Sequence, residues 1–322
     1  MSDNTNRFLN ILKVSHELIE LLQVPLYSKL HSGKTFNNHQ LFNLVCLKTS
    51  LELDYRRFVE YLETSNIPTL IGLKRIPHFT TLQKFSARQK IEGLEALILE
   101  SCGMAKRKCR NVGIDATGIS LDCASKHYAQ RIARPILKRD FLKLSMFMDL
   151  DNLMVLTQKM RRRARHDILD VRPMWNKIKH LSFRKVFGDK GYDADFFHGL
   201  VYKSGRKSVI FVRDHKIPLW RMRGVFRKMA RRDARNHQKG KRSLTETINS
   251  SLKRCYGSAL SSRTLHTQKI ELLFRILTYN MERLTILRKK VLALLPIFSR
   301  KMSRGARMHL VLLHFLPLIF KE

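Results

Sequence analysis

The chain has 322 residues, enough for one large domain or two smaller ones, and its 44% apolar content can fill a sizeable core. Lys and Arg number 62 against 26 Asp and Glu, a formal charge of +36. That excess points to a polyanionic partner such as nucleic acid. The sequence predicts no bilayer span and no secretion leader, and five scattered cysteines without a CxxC pair support neither a zinc site nor a disulfide framework. Reduced thiols in a cytoplasm are expected.

The first hundred residues read as helices. Phe8, Ile11, Leu12, Val14, Leu18, Ile19 and Leu22 keep helical spacing and predict a helix over about 5–23. After a polar loop at 31–38, Leu41, Leu44, Val45, Leu47, Leu51, Phe58 and Leu62 predict two helices within about 38–63. Pro68 and Pro77 punctuate the next stretch of chain. Thr80 and Thr81 are candidate N-caps for a helix carrying Leu82 and Phe85, and a further helix is expected from about Glu92 to Cys102. Such a block fits a helix-turn-helix reader and a dimerisation module equally.

A basic connector (Lys106, Arg107, Lys108, Arg110) leads into a different texture. The expected division is a helical domain over 1–105, a second domain over 106–286 and a tail over 287–322. Val112 and Ile114 begin a strand, yet Asp115 falls where a buried strand carries an apolar side chain, on one face with Thr117 and Ile119. A carboxylate so placed must be paired, solvated or bound to metal. Ala116 and Gly118 leave room beside it. Phe141 to Met148 and Leu153 to Lys159 flank a turn at Asp149–Asn152 and read as a hairpin. Asp167 is expected to cap a helix bearing Ile168, Val171, Trp175 and Ile178.

Val186 and Phe187 form a short strand that ends at Asp189, beyond Gly188. Asp193 should open a helix to about Val201, and 208–212 is a further strand. Residues 213–241 hold 11 Lys or Arg against 2 Asp. Arg242 to Arg254 then reads as a helix with Leu244, Ile248 and Leu252 on one stripe. The tail carries seven Lys or Arg and no acid from Leu287 to Arg307, then a 13-residue apolar run, Met308 to Phe320, too short to span a bilayer.

Strand, hairpin, helix, strand, helix, strand and a late acidic helix is the element order of the RNase H-like fold. The expected class is therefore α/β, with a mixed five-stranded sheet preceded by an all-helical domain. That order would bring Asp115, Asp189 and Glu246 together, and three converging carboxylates can hold two hard divalent cations. Arg242, Glu246 and Lys253 follow R-x3-E-x6-K, which places all three on one helix face. That face would offer a metal ligand flanked by two phosphate-binding cations.

At these residues the sequence resembles the DDE transposases of prokaryotic insertion sequences, the group whose last motif is Y-x2-R-x3-E-x6-K. The likeness rests on Ile114–Gly118, on Gly188–Asp193 and on Arg242, Glu246 and Lys253, and it runs over roughly 38–285. Lys143 and Leu144, the His166–Asp167 step and the Tyr279–Asn280 helix resemble the same core. The tyrosine of the family falls at Lys239, which can contact phosphate but cannot donate a phenolic hydroxyl.

The resemblance implies metal-dependent DNA cleavage and strand transfer at element ends. Asp115, Asp189 and Glu246 would be catalytic and hold two Mg²⁺ (or Mn²⁺) ions, and Arg242, Lys253 and Lys239 would contact DNA. Double-stranded DNA is the implied partner, with a homo-oligomer, expected as a dimer on DNA, no membrane partner and a cytoplasmic, nucleoid-associated location. Asp122 and Asp193 receive no metal role. Two other readings stand beside this one: an inactive transposase-derived DNA-binding protein, and an RNase H-like nuclease that cuts without joining.

Overall fold

The computed structural model describes residues 7–28, 35–105, 107–121, 141–162, 165–213, 216–234 and 241–302, with side chains as far as 289. Lys106, Asp122, Lys239, the apolar run 308–320 and residues 31–34 of the polar loop lie outside these residues.

Among the described residues six helices come first: α1 (Arg7–Leu21), α2 (Asn38–Ser50), α3 (Tyr55–Glu63), α4 (Ile67–Leu70), α5 (Phe79–Ala87) and α6 (Ile91–Gly103). Their starts follow capping chemistry. Asn37 and Gln40 form a capping box on α2, with Gln40 N donating to Asn37 Oδ1 at 2.7 Å and Asn37 N donating to Gln40 Oε1 at 3.1 Å. Asp54 accepts from Arg56 N and Arg57 N at 2.9 and 3.0 Å to start α3. The cap of α5 is His78 rather than Thr80 or Thr81. The backbone is already helical at Phe79, so both threonines fall in the first turn, and the His78 ring accepts from Thr80 N.

The sheet runs β3-β2-β1-β4-β5, with β1 (Asn111–Leu121) at its centre. β1 pairs antiparallel with β2 (Phe141–Asp149), which pairs antiparallel with β3 (Met154–Arg161). On its other side β1 pairs parallel with β4 (Lys185–Gly188), and β4 with β5 (Lys207–Ile210). This is the expected mixed RNase H-like order. A two-residue strand, β6 (Ala259–Leu260), adds a parallel partner at the far end of β1. The β2–β3 turn is fixed by Asp149, whose Oδ1 accepts from Asp151 N and Asn152 N at 2.8 and 3.2 Å.

Helices cover both faces. On one lie α7 (Val171–Ile178) and α8 (Asp195–Lys203), around Val112, Ile114, Phe147, Trp175, Tyr192 and Phe197. A 3-10 turn, Asp167–Asp170, precedes α7. Asp167 does not cap a helix there. Its carboxylate turns to Lys143 Nζ at 2.6 Å, the His166 ring accepts from Ile168 N, and the α-helix starts only at Val171. Likewise Asp193 does not open α8, which begins at Asp195. A basic helix, α9 (Val225–Ala234), follows β5.

The other face carries Ile119, Leu144 and Met146 and packs against α10 (Ser243–Tyr256), the leading helices and α11 (Leu265–Met302). Phe42 of α2 meets Phe274 of α11 with ring centroids 5.7 Å apart. One apolar core therefore continues across the change of texture at 105–106. The α11 helix also seals the outer edge of β3. Asn280 Oδ1 accepts from Val155 N and its Nδ2 donates to Val155 O, both at 2.9 Å, while Tyr279 donates to Leu153 O at 2.9 Å. Among the described residues no helix is long and apolar enough to cross a membrane.

Candidate active site

Asp115 is placed by the centre of the sheet. It sits mid-way along β1, opposite Met146 of β2, and is half-buried beneath α10. The close approach of that helix depends on Gly113, where an added Cβ would stand 2.5 Å from Thr245 Cγ2. Asp115 Oδ1 accepts from Ala116 N and Oδ2 from Asn249 Nδ2, both at 2.9 Å. Burial pushes its carboxyl above the usual aspartate range, and the charges of Asp189 and Glu246 push in the same direction. The two hydrogen bonds oppose that rise without cancelling it.

Asp189 follows directly on β4. Gly188 lets β1, β4 and β5 close up, since a Cβ there would lie 2.9 Å from Ile114 Cγ2 and 3.3 Å from Ile210 Cγ1. Asp189 caps the 3-10 turn Lys190–Tyr192, with Lys190 N donating to Oδ1 at 2.7 Å. Glu246 stands exposed on the first turn of α10. Arg242 Nη2 lies 3.4 Å from Asp189 Oδ1 and 3.9 Å from Glu246 Oε1, so one guanidinium bridges the two acids. Lys253 and Arg254 complete an open cleft of about 590 Å³ with Asp115, Glu246 and Asn249.

The structure thus draws Asp115, Asp189, Glu246, Arg242 and Lys253 to one side of the sheet, while Lys239 lies outside the described residues. As placed, no three His, Cys, Asp or Glu among the described residues are grouped to hold a metal ion. A physical reason is at hand, because Arg242 occupies the gap between Asp189 and Glu246. The donor set nonetheless fits a hard divalent cation in kind. It is all carboxylate oxygen, on three separate elements, with the most buried member carrying a charge that its surroundings penalise.

Sequence reasoning missed Asn249. The signal was present: it stands three residues after Glu246 and four before Lys253, on the same face of α10. It also missed how differently the neighbouring acids are used. The Asp193 carboxylate is fully buried and held by Arg227 through Nε at 2.9 Å and Nη2 at 2.6 Å, by His198 Nε2 at 3.1 Å and by Arg213 N at 2.9 Å. Burial alone would raise its pKa, but these partners hold it well below the ordinary range. Asp170 is equally buried, on Ser145 Oγ at 2.8 Å, Lys143 Nζ at 3.4 Å and Arg161. The buried Tyr192 hydroxyl has no hydrogen-bond partner among the described residues. Burial raises its pKa, as do the charges of Asp167, Asp115, Asp170 and Asp189.

No curated protein matches the chain. Among solved structures, one described as a pre-cleavage Mos1 transpososome aligns at 11% identity over 88% of this chain and 96% of that one, with a TM-score of 0.21. The family described as "Transposase DDE domain" matches residues 111–281, from the first residue of β1 into α11 and over more than half of the chain. The chain belongs to the family of transposase DDE domains.

Proposed function

We propose that this protein cleaves DNA strands at the ends of an insertion sequence and transfers them to target DNA, with Asp115, Asp189 and Glu246 as its catalytic carboxylates. The observation that carries this reading is electrostatic. Asp115 is half-buried, it has no cation of its own among the described residues, and Asp189 and Glu246 add to the penalty on its charge. A site whose acids repel in this way is stabilised by a bound cation. Mg²⁺ or Mn²⁺, in two positions, would supply activation of the attacking hydroxyl and neutralisation of charge on the leaving oxygen.

The chain's own groups would do the rest. Asn249 orients the Asp115 carboxylate through its 2.9 Å hydrogen bond. Lys253 and Arg254, on the wall of the cleft, would bind the phosphates flanking the scissile bond. Arg242 neutralises Asp189 and Glu246 until DNA arrives, when a phosphate can take its guanidinium from them. Lys239, expected to touch phosphate as well, stands just upstream in the sequence. The element would be cut by a homo-oligomer, a dimer on DNA, acting in the cytoplasm on the nucleoid.

The test is end cleavage and joining on duplexes carrying the element's terminal repeats, with Mg²⁺ or Mn²⁺. Strand-transfer products from pre-cut ends support the full reading. Cutting without joining would leave a nuclease. The Arg242 bridge also favours a second reading, a transposase-derived DNA-binding protein whose chemistry is lost. Duplex binding with no metal-dependent cutting would establish it.

A further inference from the structure

A second basic site lies at the N-terminal end of β1. Arg107, Lys108, Arg110, Arg184, Lys185 and Lys241 surround a groove of about 570 Å³, together with Asn111 and Asp151. Among the described residues no apolar side chain lines it, unlike a small-molecule pocket. The sheet fixes the positions of its cations. Arg184 N and Lys185 N both donate to Arg110 O, at 2.9 and 3.1 Å, and Asn152 Nδ2 donates to Arg107 O at 2.9 Å. The acid in its wall is already engaged. Asp151 accepts from Arg110 N and Asn111 N, both at 2.8 Å, and from the Asn111 side chain, with Lys241 Nζ at 3.6 Å. Among the described residues, no carboxylate pairs with the side chains of Arg107, Lys108, Arg110, Arg184 or Lys185.

We infer that this groove is a second binding site for the phosphate backbone of duplex DNA, continuous with the cleft that holds Asp115. The continuity is structural. Lys241 lines the groove and the next residue, Arg242, bridges Asp189 and Glu246 in the cleft. Asn111 and Asp115 bound the interval on β1, about 13 Å of strand at ~3.3 Å per residue. A duplex laid along that line would place phosphates in the groove roughly four base pairs from the scissile bond, at ~3.4 Å per pair. The groove would therefore read no sequence and would set how the flanking duplex lies. Its occupant rests on the proposed function, because the same cations could meet other polyanions.

The test uses the full chain and a duplex of arbitrary sequence, with affinity measured across a salt series. Each phosphate that the protein no longer neutralises should lower the log–log salt slope by ~0.9. The triple variant Arg107→Ala, Lys108→Ala, Arg184→Ala should lower it by about 2 to 3. A matched set of lysines on the leading helices and their turns, Lys13→Ala, Lys74→Ala and Lys84→Ala, should change it by less than half as much. The reversal pair Lys108→Glu and Arg184→Glu, which keeps long side chains and checks for a folding defect, should weaken binding further with an unchanged melting temperature. An unchanged slope in the triple variant would overturn the inference. So would an equal fall in the matched set, or preference for phosphatidylserine vesicles over duplex. Steep groove-dependent binding in a protein that never cuts would instead sink the proposed catalysis and leave the groove standing.

Discussion

Asp189 and Asp193 stand four residues apart in one short stretch, and the protein uses them in opposite ways. The Asp193 carboxylate is buried, gripped by Arg227 and His198 and held strongly ionised. Asp189 is part-exposed at a strand end, where it shares one guanidinium with Glu246 and adds its charge to the burden on Asp115. The first arrangement is complete without a ligand. The second pairs Asp189 and Glu246 with Arg242 but leaves Asp115 with a charge that burial and both neighbouring acids oppose. A carboxylate that a fold leaves under-compensated at a cleft is a better pointer to chemistry than one that is merely buried.

The contrast breaks most sharply under substitution. Asp115→Ala, Asp189→Ala and Glu246→Ala are expected to lower end cleavage by about a thousand-fold or more, while duplex binding persists and metal-free stability does not fall. Cleavage near the wild-type rate in any of the three would remove that residue from the site.

Asp193→Asn should do the reverse. Leaving Arg227 without its partner should cost about 3–5 kcal/mol of stability at neutral pH, read by denaturant unfolding, with cutting lost only in proportion to the unfolded fraction. The sign with pH follows from the depressed carboxyl. Its contribution is full above the ordinary aspartate range and is lost as pH falls through the lower folded value. The variant's acid unfolding limb should therefore be flatter than that of the wild type. Asp193→Asn is accordingly no silent control for substitutions at Asp115, Asp189 and Glu246.

Divalent ions sharpen the comparison at a smaller scale. Saturating Mg²⁺ or Mn²⁺ should raise unfolding free energy by roughly 1–3 kcal/mol in the wild type and in Asp193→Asn, and by much less in Asp115→Ala. A gain that survives in Asp115→Ala would put the ion elsewhere. The smallest effect is expected at Asn249. Asn249→Ala removes one hydrogen bond to Asp115, worth about 0.5–1.5 kcal/mol. It should reduce cleavage by about ten-fold and move its pH profile upward, because the bond that lowers the Asp115 carboxyl is gone. A rate change with no movement of the profile would assign Asn249 to packing alone.

Much of this is legible in the amino-acid sequence alone. Alternation around Asp115, the glycine before Asp189 and the stripe on α10 mark the strands and the acidic helix, because each signal is local. Element order then supplies the RNase H-like sheet. Long-range partners are not legible. Nothing near Asp167 announces that Lys143, 24 positions earlier, will draw it away from a helix cap. Nothing near Asp193 announces Arg227, since the turns that join them are set by packing. His78 escapes notice because Ser, Thr and Asp lead the capping preferences and a ring nitrogen rarely serves. Asn249 is readable in principle, as a polar residue on the face already assigned to Glu246 and Lys253.

The seal that α11 sets on β3 has a consequence for solubility. An outer strand with free N–H and C=O groups is a template on which another chain can add. Here the Asn280 amide engages both backbone groups of Val155 as a neighbouring strand would, and Tyr279 takes the carbonyl of Leu153. The side chain is a one-residue stopper. On the proposed function the protein would gather along DNA, and at the high local concentration reached there an unguarded edge would seed intermolecular sheet. Asn280 closes that route from within the chain, at the strand farthest from β4 and β5 in the sheet.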